Sequence, residues 1–237
     1  MDRRRLIKIC SVTAALAGIR GGALGSANAA ELKEYKRVKL VDDKGQAIKI
    51  KTLSTKEAYI FHYPYKGTPC FLINLPNKAV AGEKLTTDNG EYTWEGGVGP
   101  ESRVVALTAI CAHQLAYPTR EHTSISYYPP GENPDPQRAG QIVCCEHARV
   151  FDPAHGGKMI AHNKVTQPLA AIRLEYDPGK DELYASGVYG AERFDDFFKA
   201  YKQELIKEYG PGVAKEEAVD SAAVVLLSKY SAIRDMC

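Results

Sequence analysis

Two short segments near the middle of the chain, Cys111-Ala-His113 and Cys144-Cys-Glu-His147, each set a cysteine and a histidine within a few residues of one another. On a tight loop such a segment can send its sulfur to one metal atom and its ring nitrogen to a neighbouring one. Two such loops facing each other could clasp a dimetal core from both sides. The chain must therefore fold so that two loops meet, with stiff elements behind each. The text supplies them: the strand-like run Arg103-Val-Val-Ala-Leu-Thr108 leads into the first segment. After the second come Val150-Phe151-Asp152, Gly156-Gly157 and Gln167-Pro168-Leu169, then the strand-like run Ala171-Ile-Arg-Leu-Glu-Tyr176.

With these residues the sequence resembles the Rieske family over residues 95–190. The second loop of that family reads Cys-x-x-His with an aromatic-Asp pair shortly after, and a proline-containing third loop, matched by Pro168, covers the cluster. The resemblance implies a [2Fe–2S] centre in which Cys111 and Cys144 hold one iron and His113 and His147 the other, raising the potential above that of an all-cysteine cluster. Within the family, Thr68-Pro-Cys-Phe-Leu-Ile-Asn74 and Glu95-Gly-Gly-Val-Gly-Pro100 look like the small subunit of arsenite oxidase. High-potential members carry a disulfide between the cluster loops at positions matching Ala116 and Glu146, which this chain cannot form. They also carry a Ser and a Tyr where this chain has Arg149 and Phe151, so two hydrogen bonds to sulfur are missing and the potential is expected to be lower. The segment between the loops, residues 114–143, is longer than usual and includes Tyr127-Tyr-Pro-Pro-Gly131.

The second cysteine ligand is open in the sequence. Family spacing favours Cys144, whereas Cys145-Glu-His147 repeats the Cys-x-His step of the first loop, and Cys145 otherwise reads as a buried, unreactive thiol. A disulfide among Cys70, Cys145 and Cys237 is allowed in an oxidising compartment but is not the expectation without geometry. Two Cys and two His also make a structural zinc set, yet the one-residue gap in Cys111-Ala-His113 is shorter than zinc motifs use.

The segment Arg3-Arg4-Arg5-Leu6-Ile7-Lys8 looks like a twin-arginine leader over residues 1–30, followed by an apolar run and the small-residue cleavage site Ala27-Asn28-Ala29. Export of a folded protein to the periplasm suits a cluster assembled beforehand. The apolar run Ile9 to Ile19 is shorter than the roughly 20 residues of a spanning helix, so cleavage is favoured over retention as an anchor. The leader carries five basic residues (Arg3, Arg4, Arg5, Lys8, Arg20) and one acidic, Asp2, so without it the formal charge of +2 becomes about −2. That balance excludes nucleic acid as the expected partner.

The remaining organisation reads as mainly β: a Rieske-type antiparallel β-sandwich over residues 31–190, its cluster-binding part about 106–170, and a helical extension over 191–237. Short alternating runs such as Ile48-Lys-Ile-Lys-Thr52 and Tyr59-Ile-Phe-His-Tyr63 lie between Gly, Pro, Asn and Asp clusters. His62, in such a run, reads as structural, and His155 and His162 as solvated loop residues. Phe194, Phe197, Phe198, Tyr201, Leu205, Ile206 and Tyr209 recur at helical spacing up to Gly210-Pro-Gly212, and Val219, Ala222, Ala223, Leu226, Leu227 and Tyr230 repeat the pattern. Both helices are expected to pack on the β domain; the sharper alternative has their aromatic face docking a larger subunit.

The expected function is an electron-transfer protein or subunit without a substrate pocket, working between a catalytic subunit such as a molybdenum oxidoreductase and a c-type cytochrome. The alternatives are the Rieske subunit of a quinol-oxidising cytochrome bc complex and a zinc-stabilised binding module. An oxygenase is disfavoured because the chain has no room for a separate mononuclear-iron domain.

Overall fold

The computed structural model describes residues 32–132, 135–160 and 167–237. The leader over residues 1–30 and His162 lie outside them. In chain order the first strands are β1 (Lys33–Val41), β2 (Ala58–His62), β3 (Pro69–Asn74), β4 (Glu83–Thr87), β5 (Gly90–Trp94) and β6 (Val104–Thr108). Then come β7 (His122–Thr123), β8 (Ile125–Tyr128), β9 (Gln141–Cys144), β10 (Arg149–Asp152), β11 (Lys158–Met159), β12 (Ala171–Asp177) and β13 (Glu182–Tyr189). The C-terminal part holds helices α1 (Arg193–Ala200) and α2 (Lys202–Tyr209), strands β14 (Ser221–Ala223) and β15 (Val225–Leu226), the single turn α3 (Leu227–Tyr230), and β16 (Ile233–Arg234).

Strands β3 and β6 are buried on both faces, which explains why Pro69–Asn74 and Val104–Thr108 read as apolar runs without polar alternation. They sit centrally in an eight-stranded sheet of order β14-β1-β13-β12-β6-β3-β2-β15. Phe71, Ile73, Val105 and Leu107 point to one core, shared with Ile125, Ile142, Phe151, Cys111 and Cys144. Cys70, Leu72, Val104 and Ala106 point to the other, shared with Phe194, Phe197, Phe198 and Leu205. The first core joins the main sheet to a four-stranded sheet, β11-β10-β9-β8, so the expected mainly-β frame with a smaller subdomain is what the chain forms.

The aromatic helix forms as the spacing predicts, broken at Tyr201 (φ −107°, ψ 27°) into α1 and α2. Phe194, Phe197 and Phe198 lie on one face at intervals of three and four and are buried. Tyr65 meets Phe194 and Phe198 edge-on at 6.1 and 5.4 Å, and Tyr117 meets Phe197 and Tyr201 at 4.9 and 4.8 Å. The aromatic face is thus covered by this chain's own β domain, as the packing reading expected.

The second expected helix is a correction. Only Leu227–Tyr230 is helical, while Ser221–Ala223 runs parallel to β1 and Val225–Leu226 antiparallel to β2. These two strands are separated by Val224 alone yet lie at opposite ends of the strand order. The segment therefore stitches the two edges together, giving the sheet a barrel-like curvature and covering edges that would otherwise be exposed. Among the described residues no helix is long and apolar enough to cross a membrane.

Candidate metal centre

The loop of the first candidate pair, Cys111 and His113, begins where β6 ends. Its base is fixed by Thr108 N–H donating to Ala170 O and Ala109 N–H donating to Pro69 O, both at 2.8 Å. The loop then closes on itself: Cys111 N–H donates to Ala116 O at 2.8 Å and Leu115 N–H to Cys111 O at 2.9 Å, with Leu115 in the left-handed region (φ 64°). Arg193, the first residue of α1, donates from Nη2 to Ala112 O at 2.8 Å. The helix thus braces the peptide between the two first-loop residues, a contact with no trace in the sequence pattern.

The second loop is the turn of the β9–β10 hairpin, with Cys144 opposite Arg149 and Ala148 at φ 49°. Cys145 N–H donates to Ser124 O at 2.7 Å, and Ser124 Oγ donates to Glu146 Oε1 at 3.2 Å. Pro168 lines a small gap with Cys111, Ala112, Leu115 and Arg193, so the proline segment does lie against the first loop. Gly157 allows this approach: at φ 77° a Cβ would stand 3.0 Å from Leu169 Cβ and 3.2 Å from Leu107 Cδ2.

The two loops meet. Cys111 and Cys144 are each 1% exposed and not bridged, and each thiol is the largest influence on the other's protonation. The neighbouring Cys144 thiol pulls the Cys111 thiol down against its burial, helped by the backbone N–H groups of His113 and Gln114. The Cys111 thiol, with burial, pushes Cys144 up, against a backbone N–H from Glu146. The imidazoles of His113 and His147 stand edge to face, with ring centroids 5.0 Å apart. His147 is exposed and His113 half-buried with Nδ1 inward, while Arg149 Nη2 lies 3.3 Å from its Nε2. Among the described residues no group of three or more His, Cys, Asp or Glu side chains is set to hold a metal ion. The arrangement is two pairs, sulfur with sulfur and ring with ring.

Cys145 is neither a ligand nor a free thiol. It is bonded to Cys237, 92 residues away, with the Cα atoms 5.7 Å apart. This corrects both readings of Cys145 and the expectation that no disulfide forms. Cys70 is fully buried, its thiol donating to Tyr63 O at 3.0 Å, and burial pushes it far above the ordinary range, so it is an inert core thiol. His62 is structural, with the hydroxyls of Tyr209 and Tyr230 at 3.3 and 3.2 Å from Nε2. His155 is held by Asp152, Nδ1 to Oδ2 at 2.8 Å, more constrained than a solvated loop residue. His122, which the sequence leaves unassigned, pairs with Asp235 at 2.9 Å.

No protein-family model matches the chain. Among solved structures it is similar to the soluble domain of the Rieske protein II (SoxF) from Sulfolobus acidocaldarius, at 21% identity over 65% of this chain and 78% of that one, with a TM-score of 0.43. At that level the likeness adds nothing to the site, which stands on its own residues.

Proposed function

We propose that this chain carries a Rieske-type [2Fe–2S] cluster on Cys111, Cys144, His113 and His147 and passes single electrons between redox proteins in the periplasm. The observation that carries the reading is the meeting of the two loops as like pairs, buried thiol beside thiol and imidazole beside imidazole. A dinuclear centre with one iron on two thiolates and the other on two imidazoles asks for this division of donors, and the one-residue gap in Cys111-Ala-His113 is shorter than zinc motifs use.

When bound, the cluster supplies a one-electron couple. The chain's own residues set the terms of its use. The sulfurs lie where water is excluded, and the backbone N–H groups of His113 and Gln114 at Cys111 and of Glu146 at Cys144 favour negative charge on sulfur. Arg149 brings a fixed positive charge to the His113 ring, which favours the more negative, reduced state and opposes the loss of the Ser and Tyr donors. His147 is the exposed ligand, so its edge is where a redox partner can come closest.

The periplasmic assignment is supported by the twin-arginine-like leader and by the Cys145–Cys237 disulfide, a bond that persists in oxidising compartments. For the donor, the stretches Thr68–Asn74 and Glu95–Pro100 favour a molybdenum oxidoreductase of arsenite oxidase type, with a c-type cytochrome as acceptor. Iron and sulfide analysis with absorption and EPR spectra tests the cofactor. About two irons and two sulfides per chain with a Rieske EPR signal are expected, and a colourless zinc protein would overturn the reading. Pull-downs from native periplasm test the partner: recovery of a membrane cytochrome b with an uncleaved leader would move the assignment to a quinol-oxidising complex.

A further inference from the structure

The last residues of the chain are bound along the segment that joins the two ligand loops. Strand β16 pairs in parallel with β7. The amides of Ala232, Ile233 and Asp235 donate to the carbonyls of Arg120, Glu121 and Thr123 at 2.9, 3.0 and 3.0 Å, and Ser231 Oγ donates to Thr119 O at 2.6 Å. Side chains repeat the attachment: Arg234 Nη2 meets Glu132 Oε1 at 2.6 Å, and Tyr128 donates to Asp235 O at 2.7 Å. This strand delivers Cys237 to Cys145, the residue directly after Cys144.

We propose that the tail is a lock on the ligand set: Cys237, acting through Cys145, is a positioning residue that holds the second loop so that Cys144 and His147 stay opposed to Cys111 and His113. The assignment of these four as ligands rests on the function proposed above; the mechanical claim does not. Glu146, His147 and Ala148 are exposed and sit on a hairpin turn, the kind of element that opens locally at low free-energy cost. With the disulfide closed, opening that turn also has to strip β16 from β7. With it reduced, the turn and the tail move independently. The reduction balances with a dithiol as reductant. One thiolate of dithiothreitol attacks the Cys145–Cys237 bond, its second thiol closes the six-membered ring, and two electrons and two protons end on Cys145 and Cys237 as thiols.

Hydrogen exchange on the full chain tests the lock without iron. Dithiothreitol should remove protection from residues 231–237 and from the amides of residues 144–149, including the Cys145 amide that donates to Ser124 O. The variant C145S/C237S should exchange like the reduced protein and gain nothing from dithiothreitol. Protection lost in the tail alone, with residues 144–149 unchanged, overturns the proposal. In the iron-loaded protein, bleaching by a chelator should speed up by about tenfold or more on reduction, a conservative figure for losing a crosslink that spans a long loop. The EPR line should broaden as the two ligand pairs lose a fixed separation. Equal bleaching rates and an unchanged line also count against the lock. A protein that binds no cluster in either state sinks the functional reading instead, and the exchange result then decides the lock by itself.

Discussion

The loops that carry Cys111–His113 and Cys144–His147 are built in different ways. The first is fastened at its base to β3 and to the residue before β12, tied internally between Cys111 and Ala116, and braced from outside by Arg193 of α1. These attachments belong to the main sheet and its covering helix. The second is a hairpin turn on the smaller sheet, tied through Cys145 to Ser124 and to the tail. One loop gains its rigidity from the sheet, the other from a crosslink to a segment 92 residues away. A site assembled from a rigid half and a clamped half should loosen from the clamped side first.

The largest effect should come from the cysteines that neighbour each other in sequence. Cys144→Ser removes a sulfur from the buried pair and should abolish the cluster signal outright, as should Cys111→Ser. Cys145→Ser should keep the signal at full intensity when fresh and lose it faster under a chelator. EPR of the three variants checks this. A Cys145→Ser protein that never acquires the signal would mean that the two loops do not divide the work as described.

The sequence showed the site better than its support. That the Cys111–His113 and Cys144–His147 segments would meet was legible because a Cys and a His at short spacing in each ask for a common partner, and Phe194 to Tyr209 because a buried helical face leaves a period of three and four. The Val219 to Tyr230 segment misled because Ala222, Ala223, Leu226 and Leu227 fit a helical face and favour helices. Its actual state is set by unpaired sheet edges beside β1 and β2, and the period-two burial of Ser221, Ala222 and Ala223 is too short to register. The Cys145–Cys237 bond and the Arg193 brace depend on which distant residues meet, and a single sequence carries no such pairing.

Acid should loosen the tail's upstream anchor. His62 holds Tyr209 and Tyr230 against β2, and burial, with the Arg120 guanidinium, depresses its pKa to about 4. Above pH 6.5 both folded and unfolded chains keep this ring neutral. As pH falls from 6.5 toward 4, the unfolded chain takes up a proton that the folded one refuses, so stability is lost across that window, by about 3 kcal/mol at its lower end. Urea midpoints at pH 7.5 and 4.5 measure it, and His62→Gln should flatten the drop. An equal drop in both proteins would remove His62 from the account.

Arg193→Ala addresses the braced loop. It deletes a charged donor to Ala112 O and should cost about 2 kcal/mol. Hydrogen exchange should localise the loss to residues 109–116 and leave 144–149 protected, the mirror image of the C145S/C237S variant. Equal loosening of both loops would mean that they form one cooperative unit and that the contrast between them is only architectural.

The smallest effect concerns tuning from the clamped side. Phe151 is fully buried in the same core as Cys111 and Cys144, where it can donate no hydrogen bond. If Phe151→Tyr sets its hydroxyl on a cluster sulfur, one added net bond of about 1 kcal/mol favours the reduced form and raises the potential by about 40 mV, from 59 mV per tenfold for one electron. If the hydroxyl finds no partner, the potential stays put and the protein loses about 1–3 kcal/mol for a buried, unsatisfied group. Film voltammetry and urea unfolding on the same variant separate these outcomes. Because Phe151 lies on β10, directly after the second loop, a potential that rises in the oxidised protein but not after reduction of Cys145–Cys237 would show that the tail's grip on this loop sets the distance at which such a donor can act.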